Sequence, residues 1–215
     1  MIVSRGRRYI FIHIPKTGGT SLARALEDRA MADDILIGDT PKARKRRHRY
    51  KNVTATGRLW KHSRLADLPG LVSEEEIAAF RVFTIVRNPW DRTVSYYHWL
   101  KDQSFDHQAV DLAKKLSFSE FLAAPRIAAS LSSASYGSYV TYPQGHLRCD
   151  LFLRLEHLET DLKNLEQLID LKIDEIPHDN RSLRDPDYRG YYSDEDRERV
   201  AEIAADDIVR FGYNF

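Results

Sequence analysis

The sequence predicts a three-layer α/β fold, with a mostly parallel central sheet flanked by helices. Two observations carry that expectation. Short apolar, β-rich runs alternate with segments of helical periodicity at least three times along 215 residues. Two of those runs, residues 9–14 and 81–86, stop at polar turns that open a helix. In parallel sheets such turns lie at the carboxyl ends of strands, where ligands bind.

Composition narrows the classes. The net charge of +1 leaves no global affinity for polyanions, and no helix-turn-helix or zinc pattern points to nucleic acid as a partner. Cys149 is the only cysteine, which excludes an intrachain disulfide framework and a Cys-rich metal site. The apolar run after Arg5, Arg7 and Arg8 is six residues long and ends at Pro15. That is too short for a signal-peptide core or a membrane span, so a cytoplasmic protein is expected. No repeat and no long linker divides the chain, which reads as one domain over residues 1–215.

In order, residues 9–14 read as a buried strand. Leu22, Ala25, Leu26 and Ala30 mark an amphipathic helix leaving the turn. Residues 35–37 suit a short strand. Residues 42–51 carry seven Lys or Arg in ten positions; they read as a basic insertion (41–51), a solvated mobile loop or a patch for an anionic acceptor. Residues 52–57 suit another strand. Ser73-Glu-Glu-Glu76 is a capping-box signature for a short helix. Residues 81–86 (Arg-Val-Phe-Thr-Ile-Val) form the strongest strand candidate. Asn88 suits a helix N-cap and Pro89 the first helical position. Residues 106–140 read as helical with breaks, residues 151–155 as a strand, and Leu158, Leu162, Leu165, Leu168 and Ile169 as one face of a helix. Residues 177–192 read as an ordered loop or lid. Ser193 and Asp196 open a last helix through Val200, Ile203 and Ile208.

The first turn is where chemistry is expected. Gly18 and Gly19 let backbone approach a phosphate, Lys16 supplies a point charge, and Thr17, Thr20 and Ser21 supply short donors. The turn is P-loop-like, but Lys16 precedes the glycines instead of following them, and no strand ends in an evident Walker B Asp. A metal-dependent nucleoside triphosphatase is thereby disfavoured. Arg87 and Ser95 form a second anion-binding element, by a charged fork and a hydroxyl; pairing of Arg87 with Asp91 is the plainer alternative.

Ile12-His-Ile-Pro-Lys-Thr-Gly-Gly-Thr-Ser21 and Thr84-Ile-Val-Arg-Asn-Pro-Trp-Asp-Arg-Thr-Val-Ser-Tyr-Tyr97 resemble the two cofactor signatures of sulfotransferases that use 3′-phosphoadenosine 5′-phosphosulfate (PAPS). Asn180-Arg-Ser182 and Asp187-Tyr-Arg-Gly-Tyr-Tyr192 are similar to the tail of carbohydrate sulfotransferases related to heparan sulfate 2-O-sulfotransferase. That group's Golgi anchor has no counterpart here, so a soluble, bacterial-type enzyme is the nearer analogue. The resemblance implies sulfuryl transfer without a metal from PAPS to an acceptor hydroxyl, expected on a carbohydrate. It implies that Lys16 meets the bridging oxygen, that Thr17, Gly18, Gly19, Thr20 and Ser21 cradle the 5′-phosphate, and that Arg87 and Ser95 hold the 3′-phosphate. His62, in Trp60-Lys-His-Ser63, matches the place of that group's catalytic base; His13 and a carboxylate stand as alternatives. His48, His98, His107, His146, His157 and His178 lack such placement. Arg184, Tyr188 and Arg189 are lid candidates that could close over the nucleotide. A P-loop-type nucleotide kinase, or a nucleotide-binding module without catalysis, are the alternative functions.

Overall fold

A computed structural model describes residues 1–142, 144–174, 176 and 184–215. The elements, in order, are β1 (Ile2–Ser4), β2 (Tyr9–Ile12), α1 (Gly19–Asp28), β3 (Ile35–Leu36), α2 (Pro41–Arg46), α3 (Glu74–Ala79) and β4 (Arg81–Val86). There follow α4 (Pro89–Lys101), α5 (Gln108–Lys115), α6 (Phe118–Ala123), α7 (Pro125–Ser132), α8 (Tyr136–Val140), β5 (Leu151–Arg154), α9 (Leu158–Ile169), α10 (Asp194–Ile203) and α11 (Ala205–Phe211). They form two compact units, Met1–Val86 with Gly137–Asp179 and Arg87–Tyr136 with Asn180–Phe215.

The first unit carries the sheet, in the order β3-β1-β2-β4-β5. Strands β2, β4 and β5 are parallel, with Phe11 opposite Phe83 and Phe83 opposite Leu151. Strands β1 and β3 extend this parallel core with antiparallel pairings, so the α/β class holds and the sheet is mixed. Tyr9, Phe11, Phe83, Ile85 and Leu153 pack on one face with Leu22 and Leu26 of α1 and Leu165 and Ile169 of α9. Ile10, Ile12, Val82 and Thr84, which alternate with them, are buried too. Near-continuous apolar strands are what a sheet covered on both faces requires.

Several local signals act as the sequence predicts. Ser73 and Glu76 close the capping box of α3, and Asn88 caps α4 with Pro89 at its first position. Three expectations are corrected, and one strand is new. Strand β1 was not predicted: it is three residues long and precedes a basic turn. The basic run is no loop. Thr40 caps α2 by accepting from Ala43 N at 3.1 Å, Pro41 opens it, and a 3-10 turn (Arg47–Arg49) follows. Thr40 also bonds Glu27 at 2.6 Å, while Lys42 donates to the Glu27 carbonyl. Residues 52–57 form no strand; Thr56 N and Gly57 N bond locally to Pro69 O and Asp67 O, at 2.8 and 3.1 Å. The last helix is two, α10 and α11, meeting at Ala204.

The second unit is helical around a core that includes Trp90, Val94, Tyr97, Phe118, Phe121 and Val200. Ser193 caps α10. Its Asp196 bonds both Ser193, at 2.9 Å, and Ser119. No helix among the described residues is long and apolar enough to cross a membrane.

Within the first unit, the end of β2 is pinned sideways. The buried Thr84 hydroxyl donates to Ile12 O at 2.7 Å. Thr84→Val is expected to cost about 1 kcal/mol, the net worth of one buried hydrogen bond, read as a lowered urea midpoint with unchanged slope.

Candidate active site

In the first unit, β2 hands the chain to a turn built around left-handed residues. Lys16 has φ +66° and Gly18 φ +82°. Left-handed residues in a turn gather successive N–H groups into an anion-binding concavity. Thr17, fully buried between them, donates its hydroxyl to Ile14 O at 3.0 Å. Its only hydroxyl proton is thereby spent, so toward a ligand it offers its backbone N–H and not the side-chain donor expected of it. Gly18 is the N-cap of α1, which has no side-chain cap and no acidic residue in its first turn. The helix start thus keeps N–H groups that no capping side chain satisfies, at the positive end of its dipole. Thr20 and Ser21 lie half-buried in that first turn.

The two glycines are required for different reasons. At Gly18 the left-handed backbone disfavours a side chain, and a Cβ would meet Leu155 Cδ1 at 2.6 Å. At Gly19 the constraint is contact alone, since a Cβ would lie 2.4 Å from the His13 ring.

His62 sits beside this turn. Its Nδ1 lies 2.8 Å from His13 O. A carbonyl only accepts, so Nδ1 carries the proton and Nε2 keeps a lone pair. Burial lowers the His62 pKa to about 4, against the raising effect of that hydrogen bond and with Lys61 adding to the fall. The imidazole is therefore neutral at neutral pH with a basic nitrogen available. His13, the rival base, is buried, and burial holds its pKa well below the usual value. Its ring stacks on Phe11, centroids 5.9 Å apart. Its carbonyl accepts the hydrogen bond that orients His62.

In the second unit, Arg87 points Nε and Nη2 at Asp91 Oδ2, 2.8 and 2.6 Å away. Arg184 grips the other oxygen of the same carboxylate, with only 7% of its side chain exposed. The alternative pairing of Arg87 with Asp91 is therefore present, and a second arginine joins it. The Arg87 carbonyl accepts from the Tyr136 hydroxyl, and Asp207 holds Tyr136 N at 2.9 and 3.1 Å. Backbone and side chain of Arg87 are both fixed. Ser95 is buried in α4. Tyr188 packs in the core of its unit, its ring 5.7 Å from that of Phe215. Arg189 lies over the Tyr188 ring at 4.9 Å and pairs with Asp187 at 3.3 Å. Residues 177–183 of the expected lid (177–192) lie outside the described residues. Among the described residues no group of three or more His, Cys, Asp or Glu could hold a metal ion.

Two features of the first unit were not anticipated from sequence. One is the contact of Trp60 with His62, ring centroids 5.1 Å apart. The other is the Ser63 hydroxyl, which accepts from Trp60 N and donates to Arg58 O, both at 2.8 Å. The signal was present as the alternation Arg58, Trp60, His62, but only the fold tells which face it meets.

The model of the sulfotransferase family matches residues 1–214. No curated protein matches the sequence. Among solved structures, the chain is similar in fold to mouse sulfotransferase SULT7A1 complexed with PAP. Identity is 17%, 95% of this chain and 85% of that chain are covered, and the TM-score is 0.56. With a family match across nearly its whole length, on a fold that this family adopts, the chain belongs to the sulfotransferase family.

Proposed function

We propose that the protein transfers the sulfuryl group of PAPS to a hydroxyl of an acceptor, with a carbohydrate as the acceptor class. The observation that carries this reading is a turn fit for an anion beside an imidazole whose basic nitrogen is kept available. Lys16 and Gly18 are left-handed, α1 lacks a side-chain cap, and His62 Nδ1 is spent on a carbonyl. The residues present fit a phosphosulfate, being amides, hydroxyls and a cation with no acid in the helix's first turn. The mouse sulfotransferase of similar fold is complexed with PAP, which supports the same cofactor class for this chain.

When bound, PAPS supplies an activated sulfuryl group. Lys16 neutralises charge that grows on the leaving oxygen, which favours the transition state over the ground state. Thr17 and Gly18 through Ser21 hold the 5′-phosphate by N–H groups and by the Thr20 and Ser21 hydroxyls. Arg87 and Ser95 hold the 3′-phosphate, with Asp91 keeping the Arg87 fork oriented. Arg184 shares Asp91 and supports Arg87; Tyr188 and Arg189 act at the edge of this element. His62 Nε2 takes the acceptor hydroxyl's proton. In this reading protein cations and amides balance the charge and no metal is called for. A nearby anion works against burial and raises the proton affinity of His62 toward that of a useful base.

Three outcomes are expected. Lys16→Ala lowers kcat at saturating PAPS by ~100-fold, the scale for one lost transition-state donor; turnover near that of wild type overturns the role. His62→Ala loses transfer while calorimetric affinity for 3′-phosphoadenosine 5′-phosphate (PAP), compared with ATP in metal-free buffer, stays near wild type. Tight binding of ATP and not of PAP would reject the cofactor assignment. The third outcome concerns pH. With a folded pKa of about 4 against an ordinary 6.5, His62 of the nucleotide-free enzyme stays neutral as pH falls through 6.5, so kcat/KM for PAPS, which reports that form, keeps its plateau there and drops only toward pH 4. Over the same window the unfolded chain takes up a proton that folded His62 refuses, so stability present above pH 6.5 is lost as pH falls. NMR titration of the imidazole checks the value, and PAP should move it upward.

A further inference from the structure

Arg58, Trp60 and His62 alternate along the segment that carries the proposed base, and their side chains touch in succession. The Arg58 guanidinium lies over the Trp60 ring, 5.6 Å from its centroid. Trp60 meets His62 at 5.1 Å with ring planes at 88°, and His62 meets His13 at 4.7 Å. The row runs inward from solvent: Arg58 and Trp60 are exposed, His62 is half-buried and His13 buried. Nor is this a loose loop. The buried Ser63 hydroxyl ties Arg58 O and Trp60 N together, and Lys61 is held to Asp39 Oδ2 at 2.7 Å. A single exposed apolar side chain on a surface needs no explanation. An indole left 43% exposed on a tied segment, between a guanidinium and the proposed catalytic imidazole, does.

Resting on the sulfotransferase reading above, we propose that Arg58 and Trp60 are the acceptor-positioning pair, and that they select an acidic sugar. Trp60 offers a rigid apolar surface for the C–H side of a sugar ring and sets that ring beside His62. Arg58, already stacked on the indole, presents a planar fork suited to a carboxylate on the same or the next ring. The surroundings match this charge. Gly57 and Leu59, which alternate with the pair, line a cavity of about 340 Å³ that Arg47, Tyr50 and Lys51 of the basic run also line. An anionic acceptor longer than one ring would find cations on both sides of this segment, those of the basic run being held in place by a capped helix tied to Glu27.

The test uses the whole chain saturated with PAP and two matched disaccharides, cellobiouronic acid and cellobiose, which differ by one carboxylate. Calorimetry on wild type is expected to give ~10-fold tighter binding of the acid, the scale of one charge-assisted contact. Arg58→Ala removes that preference, Trp60→Ala weakens both sugars, and Trp60→Phe restores part of the loss. All three keep wild-type affinity for PAP, which also reports that they fold. Equal affinity of wild type for the two sugars, binding of neither, or a preference that survives Arg58→Ala overturns the pair's role. Failure of wild type to bind PAP overturns instead the sulfotransferase reading on which it rests.

Discussion

One hydrogen bond across 49 residues, from His62 Nδ1 to His13 O, organises the first unit's candidate site. It consumes the imidazole's only proton, so the nitrogen left over is basic. It also ties the segment 58–63 to the end of β2, where the anion-binding turn begins. The His13 ring packs against the start of α1, where a Cβ at Gly19 would lie 2.4 Å from it. A strand end, a glycine and a histidine tautomer thus meet at His13. The low pKa of His62 follows from the same packing, since burial opposes its charged form more strongly than the carbonyl supports it.

The second unit solves a different electrostatic problem. Two buried or half-buried guanidiniums, Arg87 and Arg184, would repel if left alone. Asp91 stands between them with one oxygen for each. Taking charges from water is costly, and geometry this close is what offsets it. The trio retains a net positive charge, which suits an anion-binding element better than a neutral pair. Asp207 and Tyr136 hold the backbone of Arg87 by the same logic, each buried polar group being satisfied by the next.

What was legible in the sequence was local. A Ser followed by Glu three residues later, or an Asn before Pro, specifies a helix start through hydrogen bonds made within one turn. Strand β4 declares itself because both of its faces are buried and every residue from Val82 to Val86 is apolar or β-branched. The misses share a cause. Strand β1 is too short to show a period and exists only because β2 and β3 flank it. Residues 41–46 look like a solvated charge run, yet Thr40 and Pro41 were a start signal outweighed by the charges that followed. Residues 52–57 have strand-like composition, but their backbone partners are Asp67 and Pro69, which no sheet supplies.

The site divides in the same way. The sequence by itself determined the turn at residues 15–21, the Arg87–Asn88–Pro89 junction and the family they indicate, because glycine, proline and a fixed charge act through backbone geometry over a few residues. Only the tertiary structure decided that Thr17 spends its hydroxyl on Ile14, that Arg184 shares Asp91, and which nitrogen of His62 is left basic. It decided also that Trp60 stands exposed between Arg58 and His62. Each of these depends on where a partner distant in sequence, or a side chain's one donor, ends up, and no local spacing encodes that.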